Sequence, residues 1–176
     1  ARPFQNKATD MCETVGLCTA VNPALVARAL VVEADVRGID TSDWRLESGG
    51  EDMPDAYLFC PVSTKDLKAN IVEVPPGVLG PFKLFIIVYA MLFGMRSSVV
   101  NFSRFSVFLE AIGRRLARML LSMFYDDASI LGIALGKGSA QKTTNFLLEA
   151  LGGTFKKEKQ QKMSSSCDCL GLVHDV

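Results

Sequence analysis

Met119-Leu120-Leu121-Ser122-Met123-Phe124-Tyr125-Asp126-Asp127-Ala128-Ser129-Ile130-Leu131-Gly132 is the stretch whose reading decides the fold. Two short apolar runs flank a pair of aspartates, and runs of this length bounded by turn formers predict a β-hairpin with Asp126 and Asp127 at its tip. Two negative charges in so small a volume repel each other unless a divalent cation or a solvated turn relieves them. Alone, the pair favours an ordinary solvated turn.

Working outward, Val100, Phe105, Phe108, Leu109, Ile112, Leu116 and Met119 recur at helical spacing and predict an amphipathic helix over 97–119. Arg104, Glu110, Arg114, Arg115 and Arg118 fall between them, on what reads as a solvated face. A second helix is predicted over 139–151, ended by Gly152-Gly153, and a short strand over 170–173. Lys156 to Lys162 is a charge run, read as a solvated loop.

Toward the N-terminus, Pro23 to Ala34 predicts a helix capped by Asn22 and ending near Gly38. Residues 39–56 are polar, carry Gly49-Gly50, and read as a loop or the ragged start of a strand. Strands are predicted at 70–74 and 82–90, joined as a hairpin through Pro75-Pro76-Gly77. The apolar run from Phe82 to Met95 reads as a buried strand entering a turn, since it is too short for a membrane helix and is interrupted by Gly94. These elements make an α+β fold, an antiparallel sheet with helices packed on one face.

The chain has 176 residues, 49% of them apolar, which suffices for one domain with a real core. Lysine plus arginine (19) balance aspartate plus glutamate (19), so net charge alone argues for neither nucleic acid nor membrane as partner. Their distribution is uneven: acids concentrate between Glu33 and Asp55 and at the hairpin tip, and bases in 114–118 and 156–162. Five cysteines (Cys12, Cys18, Cys60, Cys167 and Cys169) without disulfide-framework spacing lead us to expect an intracellular, reducing setting. Cys167 and Cys169 offer two thiolates to zinc, but His174 is isolated in sequence and no second pair sits at finger spacing.

A further acidic element, Asp52-Met53-Pro54-Asp55-Ala56-Tyr57-Leu58-Phe59-Cys60-Pro61-Val62, precedes the hairpin. With Leu92-Phe93-Gly94-Met95-Arg96-Ser97-Ser98 and Phe124-Tyr125-Asp126-Asp127, it resembles the palm region of reverse transcriptases, motifs A, B and C in the family's order. Residues 151–159 are similar to motif D and 169–173 to motif E, and the nearest likeness is to retrotransposon enzymes with a Phe-Gly motif B. The resemblance covers roughly residues 50–176.

This resemblance implies a polymerase palm of ferredoxin-like type over 50–176, preceded by a partial fingers segment over 1–49, with no thumb. It implies an RNA-directed DNA polymerase, a nucleotidyltransferase adding deoxynucleotides to a primer 3′ end on an RNA or DNA template, within a longer polyprotein. The isolated piece is then expected to be inactive, since a palm without a thumb makes few phosphate contacts. Such chemistry is in-line phosphoryl transfer, in which two Mg²⁺ (or Mn²⁺) ions about 3.5–4 Å apart stabilise the charge. Asp52 and Asp126 are implied as bridging ligands, with Asp127 the less direct one.

Lys159 is implied to neutralise or protonate the leaving pyrophosphate, and Tyr57, Phe93, Gly94 and Ser98 to contact the nucleotide, Tyr57 as the gate against a 2′-hydroxyl. On the residues alone, Tyr57 reads equally as a core tyrosine and Lys159 as a solvated lysine. Asp55 is implied to be structural or near the triphosphate. The polar approach to Asp52, residues 46–51, departs from the apolar strand usual in the family and predicts a poorly anchored aspartate. The alternative function is a decayed or domesticated palm-like domain that binds partners without catalysis.

Overall fold

The structure, a computed structural model of the chain, describes residues 18–19 and 21–175; Cys12 and the rest of residues 1–17 lie outside them. Three helices occur among the described residues, α1 (Asn22–Val36), α2 (Arg96–Arg115) and α3 (Ser139–Ala150). The strands are β1 (Leu46–Asp52), β2 (Ile71–Val74), β3 (Leu84–Ile87), β4 (Leu120–Phe124), β5 (Asp127–Ile133), β6 (Gln161–Ser164), β7 (Ser166–Cys169) and β8 (Leu172–Asp175). They form one four-stranded antiparallel sheet in the order β4-β5-β1-β6, and two separate hairpins, β2-β3 and β7-β8. The α+β class is therefore as expected. The chain divides into two compact units, residues 55–103 and residues 18–54 with 104–175.

The larger unit is built on the four-stranded sheet. Cross-strand partners share a face, so the register places Leu121, Ile130 and Gly49 on one side, together with Met123, Ala128 and Glu51. Leu121, Met123, Ala128 and Ile130 are buried there with Leu109 of α2 and Leu148 of α3. Helix α2 comes so close that a Cβ on Gly113 would stand 2.8 Å from Leu121 Cδ2, and Ala140 of α3 would lie 3.7 Å from one on Gly132. These two helices thus cover one face, as the sequence predicts for them. The other face carries Ser48, Gly50, Asp52, Ser122, Asp127 and Ser129, and its small polar side chains leave room for a cleft.

Strand β1 corrects the expectation for its segment. Residues 46–52 are not a loop but an interior strand, paired to β5 along all seven residues and to β6 at Ser48 and Gly50, between which the register shifts. Apolarity is not what anchors it. Close approach does, because a Cβ on Gly49 would sit 2.8 Å from Met163 Sδ and 3.0 Å from the Gln161 carbonyl oxygen.

Other boundaries differ for local reasons. The predicted 97–119 helix stops at Arg115 so that β4 can begin at Leu120, with Arg118 in the left-handed region at φ 55°. Val21, not Asn22, is the α1 cap, and Asn22 instead accepts a bond from Thr19 Oγ1 at 3.1 Å. Leu170-Gly171, expected in a closing strand, is the turn between β7 and β8.

In the smaller unit, β2 and β3 pair as predicted, but β3 is not buried. Leu84, Phe85, Ile86 and Ile87 are all exposed, because this two-stranded hairpin is not part of the four-stranded sheet. No described helix is long and apolar enough to cross a membrane.

Substituting Gly49→Ala should cost about 1–3 kcal/mol by overpacking against β6. Gly50→Ala, whose nearest neighbours on Gln161 are 3.5 Å away, should cost less. Urea denaturation of the two variants compares them directly.

Candidate metal and nucleotide site

Register brings the carboxylates together. Asp52, the last residue of β1, stands directly across from Asp127, the first of β5, so both side chains leave the same face of the sheet. Phe124 pairs with Asp127 across the hairpin, leaving Tyr125 and Asp126 as its two-residue loop. Tyr125 takes φ 51°, a strained value for a bulky residue. The Met53 amide donates to the Asp126 carbonyl at 3.0 Å, so β1 stays tied to the hairpin beyond its last ladder pair. The expectation of a poorly anchored Asp52 is thereby corrected: it is 8% exposed and held in a paired strand.

Lys159 meets this cluster from the 3₁₀ turn Lys157–Lys159, its Nζ 2.6 Å from Asp52 Oδ2. The contact is an ion pair without good hydrogen-bond direction, and Oδ2 has no other donor among the described residues. Lys159 stays exposed to solvent, yet its backbone belongs to a fixed turn and not to a free loop. Its turn is fastened on both sides of β1: the Lys156 amide donates to the Asp52 carbonyl at 2.8 Å, and Gln160 Nε2 donates to Glu51 Oε1 at 2.5 Å. Strand alternation sends Glu51 to the opposite face, where Asn145 Nδ2 of α3 also donates to it at 3.1 Å. Burial pushes the Glu51 carboxyl up, and its amide partners oppose that rise. The close contact with Asp52 and its negative charge raise the Lys159 ammonium above its usual range.

Asp127 is pushed above the ordinary carboxylate value by desolvation first, then by the charges of Asp126 and Asp52, while Lys159 pulls it back. It lies at the exposed end of its strand, so water screens part of that repulsion. A cleft of about 350 Å³ runs from Asp52, Asp127 and Lys159 past Ser129 to Cys18 and Cys169. Burial pushes the Cys18 thiol up to about 11 and raises Cys169 too, so both thiols are protonated at neutral pH.

The donor types suit a hard divalent cation: Asp52 and Asp127 share a face, and one buried oxygen, Asp52 Oδ2, lacks a well-directed partner. Among the described residues, no group of three or more His, Cys, Asp or Glu side chains stands close enough together to hold a metal ion. That also bears on the thiol option: His174 stands across from Cys167 in the β7-β8 register, yet the pair gains no third ligand close enough.

The four residues assigned to the nucleotide cluster in the smaller unit. The Tyr57 ring packs edge-on against Phe93, centroids 4.6 Å apart, and against Phe102 at 5.6 Å. Gly94 turns the chain at φ 84°, a conformation that disfavours a side chain. Ser98, wholly buried, donates its hydroxyl to the Leu92 carbonyl at 2.8 Å and so closes the Leu92–Gly94 turn. Asp55, at φ 50°, precedes the 3₁₀ turn Ala56–Phe59 without a side-chain capping bond.

The sequence reading missed the residues that hold the hairpin from outside the sheet. Edge strand β4 is bonded to α2: Arg114 Nε donates to the Leu121 carbonyl at 2.7 Å, the Met123 amide to Glu110 Oε2 at 2.8 Å, and Ser106 Oγ to the Tyr125 carbonyl at 2.6 Å. Arg114 also pairs with Glu110 at 2.9 Å and donates to Ser122 Oγ at 3.1 Å. Glu110 and Arg114 are therefore not a purely solvated face. Their four-residue spacing from Ser106 was the available signal.

No protein-family model matches the chain, and no curated protein is significantly similar to it.

Asp127→Asn should stabilise the fold at pH 7 by about 0.5–1 kcal/mol, since like charges directly opposed across strands are destabilising. Because the folded carboxyl holds its proton to a higher pH than the ordinary value of 3.8, the native chain loses stability as pH rises through that window. The gain from Asn should therefore be full above the window and vanish below it, as denaturation at pH 3 and pH 7 would show.

Proposed function

We propose that this chain is the palm portion of a retroelement reverse transcriptase, adding deoxynucleotides to a primer 3′ end on an RNA or DNA template. The observation that carries the reading is the opposition of Asp52 and Asp127 across β1 and β5, with Asp126 in the adjoining loop. Two sequence elements far apart in the chain, similar to motifs A and C, meet as neighbouring strands with Asp52 and Asp127 on the same face. The Lys159 ammonium at the same point supports the motif D assignment.

Two Mg²⁺ or Mn²⁺ ions would there supply charge stabilisation for the in-line transfer. Asp52 and Asp126 would hold them, with Asp127 alongside. Asp52 is ion-paired to Lys159, so cation binding needs the flexible lysine to swing off the carboxylate. Released, its ammonium stands ready to meet the negative charge of a leaving pyrophosphate. Tyr57, packed on Phe93, offers a rigid ring as the gate against a 2′-hydroxyl, and the Gly94 turn offers backbone without a side chain in the way. Primer–template, deoxynucleoside triphosphates and the rest of a longer polyprotein are the partners this reading requires.

A second reading, a domesticated palm-like domain without catalysis, draws support from the 2.6 Å ion pair that already neutralises Asp52. Incorporation of one deoxynucleotide on an RNA-templated primer, at high protein concentration with Mg²⁺ or Mn²⁺, separates the two. The polymerase reading expects metal-dependent incorporation by a longer chain containing this one, weak or absent with the isolated piece, that falls on the order of a hundredfold in Asp126→Asn. Incorporation no higher than that of the variant, both by this chain and by a longer one containing it, would decide for the non-catalytic domain.

A further inference from the structure

The loop that carries Asp126 has an unfavourable backbone. Tyr125 at φ 51° is a bulky residue in the left-handed region, and such conformations, costing of order 1–3 kcal/mol, persist only where the surroundings over-determine them. What surrounds this one is identifiable. The Tyr125 carbonyl accepts the Ser106 hydroxyl at 2.6 Å, the Met53 amide holds the carbonyl of the next residue at 3.0 Å, and the Phe124 and Tyr125 rings pack edge-on at 5.0 Å.

Ser106 belongs to a graded set. Ser106, Glu110 and Arg114 succeed one another every four residues along α2, while their β4-side partners Tyr125, Met123 and Leu121 succeed one another every two. Four helical residues rise about 6 Å and two strand residues about 6.8 Å, so the two repeats stay in step across all three bonds. The set runs antiparallel and ends on the metal-site loop. Ser106 is 3% exposed, so little water competes for its bond.

We infer that Ser106 is a positioning residue for the metal site: its hydroxyl fixes the Tyr125 carbonyl, and with it the direction in which the Asp126 and Asp127 carboxylates leave the hairpin. The inference rests on the metal site proposed above. Ser106 touches neither cation nor substrate and acts through the loop. Glu110 and Arg114 hold the body of β4, one and two helical turns away from that loop, so their loss weakens the edge without re-aiming the carboxylates.

The test is Mn²⁺ binding to the full 176-residue chain, followed by the loss of the free-ion electron-spin-resonance signal, with thermal unfolding recorded in parallel. Ser106→Ala, and Ser106→Cys as the near-isosteric variant that keeps the fold if alanine does not, should weaken Mn²⁺ binding about tenfold. Ser106→Thr, which keeps the hydroxyl, should restore it. Glu110→Gln should lower the unfolding temperature yet leave Mn²⁺ affinity unchanged, a contrast that a merely structural Ser106 would not produce. Native Mn²⁺ affinity in both the alanine and cysteine variants would overturn the inference. Native affinity in Asp126→Asn would overturn the metal site itself, and the inference with it, so the silent variant tells which has failed.

Discussion

Like charges brought face to face at the end of two paired strands are the constraint around which the larger unit is arranged. The β1-β5 ladder cannot be completed without setting Asp52 against Asp127, and its register is fixed by seven consecutive pairs. Slipping by one residue would relieve the repulsion, but it would also turn Ala128 and Ile130 out of the core. Hydrophobic burial on one face thus enforces electrostatic tension on the other. Lys159 relieves part of that tension, and the exposure of Asp127 to water relieves another part.

Each auxiliary contact follows from that tension. The turn bearing Lys159 must be held to bring a cation to Asp52, and it is fastened through the Asp52 carbonyl and through Glu51 on the far face. A hairpin whose loop is strained needs support beyond its own ladder, and β4, an edge strand, obtains it from α2. Covering an edge strand with a helix also withdraws its unpaired backbone groups from intermolecular pairing. One row of three side chains does both.

The sequence made some of this legible and hid the rest for physical reasons. The hairpin at 120–133, the helix at 139–150 and the β2-β3 pairing were readable because apolar runs and turn residues fall at the proper spacing. Strand β1 was not, because Leu46-Glu47-Ser48-Gly49-Gly50-Glu51 lacks every propensity signal for a strand; its pairing is dictated by how closely Met163 and Gln161 must approach. Lys159 was picked out by resemblance, while its partner turn looked like a solvated charge run until Glu51 was seen to anchor Gln160. Arg114 and Glu110 looked like surface charge because polar residues between apolar ones give no sign of a backbone edge waiting beside them. The pairing of β1 with β5 is likewise something that composition alone does not signal.

The β2-β3 hairpin has a different consequence. Phe82, Phe85 and Tyr89 are 65–75% exposed, and Ile71, Leu84, Ile86 and Ile87 are exposed beside them on a two-stranded ribbon. Short β-branched and aromatic segments with open edges are the kind that stack between chains, and Lys83, ion-paired with Glu73 at 3.0 Å, supplies the gatekeeping charge at the ribbon's end. Any pairing between copies of the chain is expected to begin on this ribbon, a stretch of fewer than twenty residues.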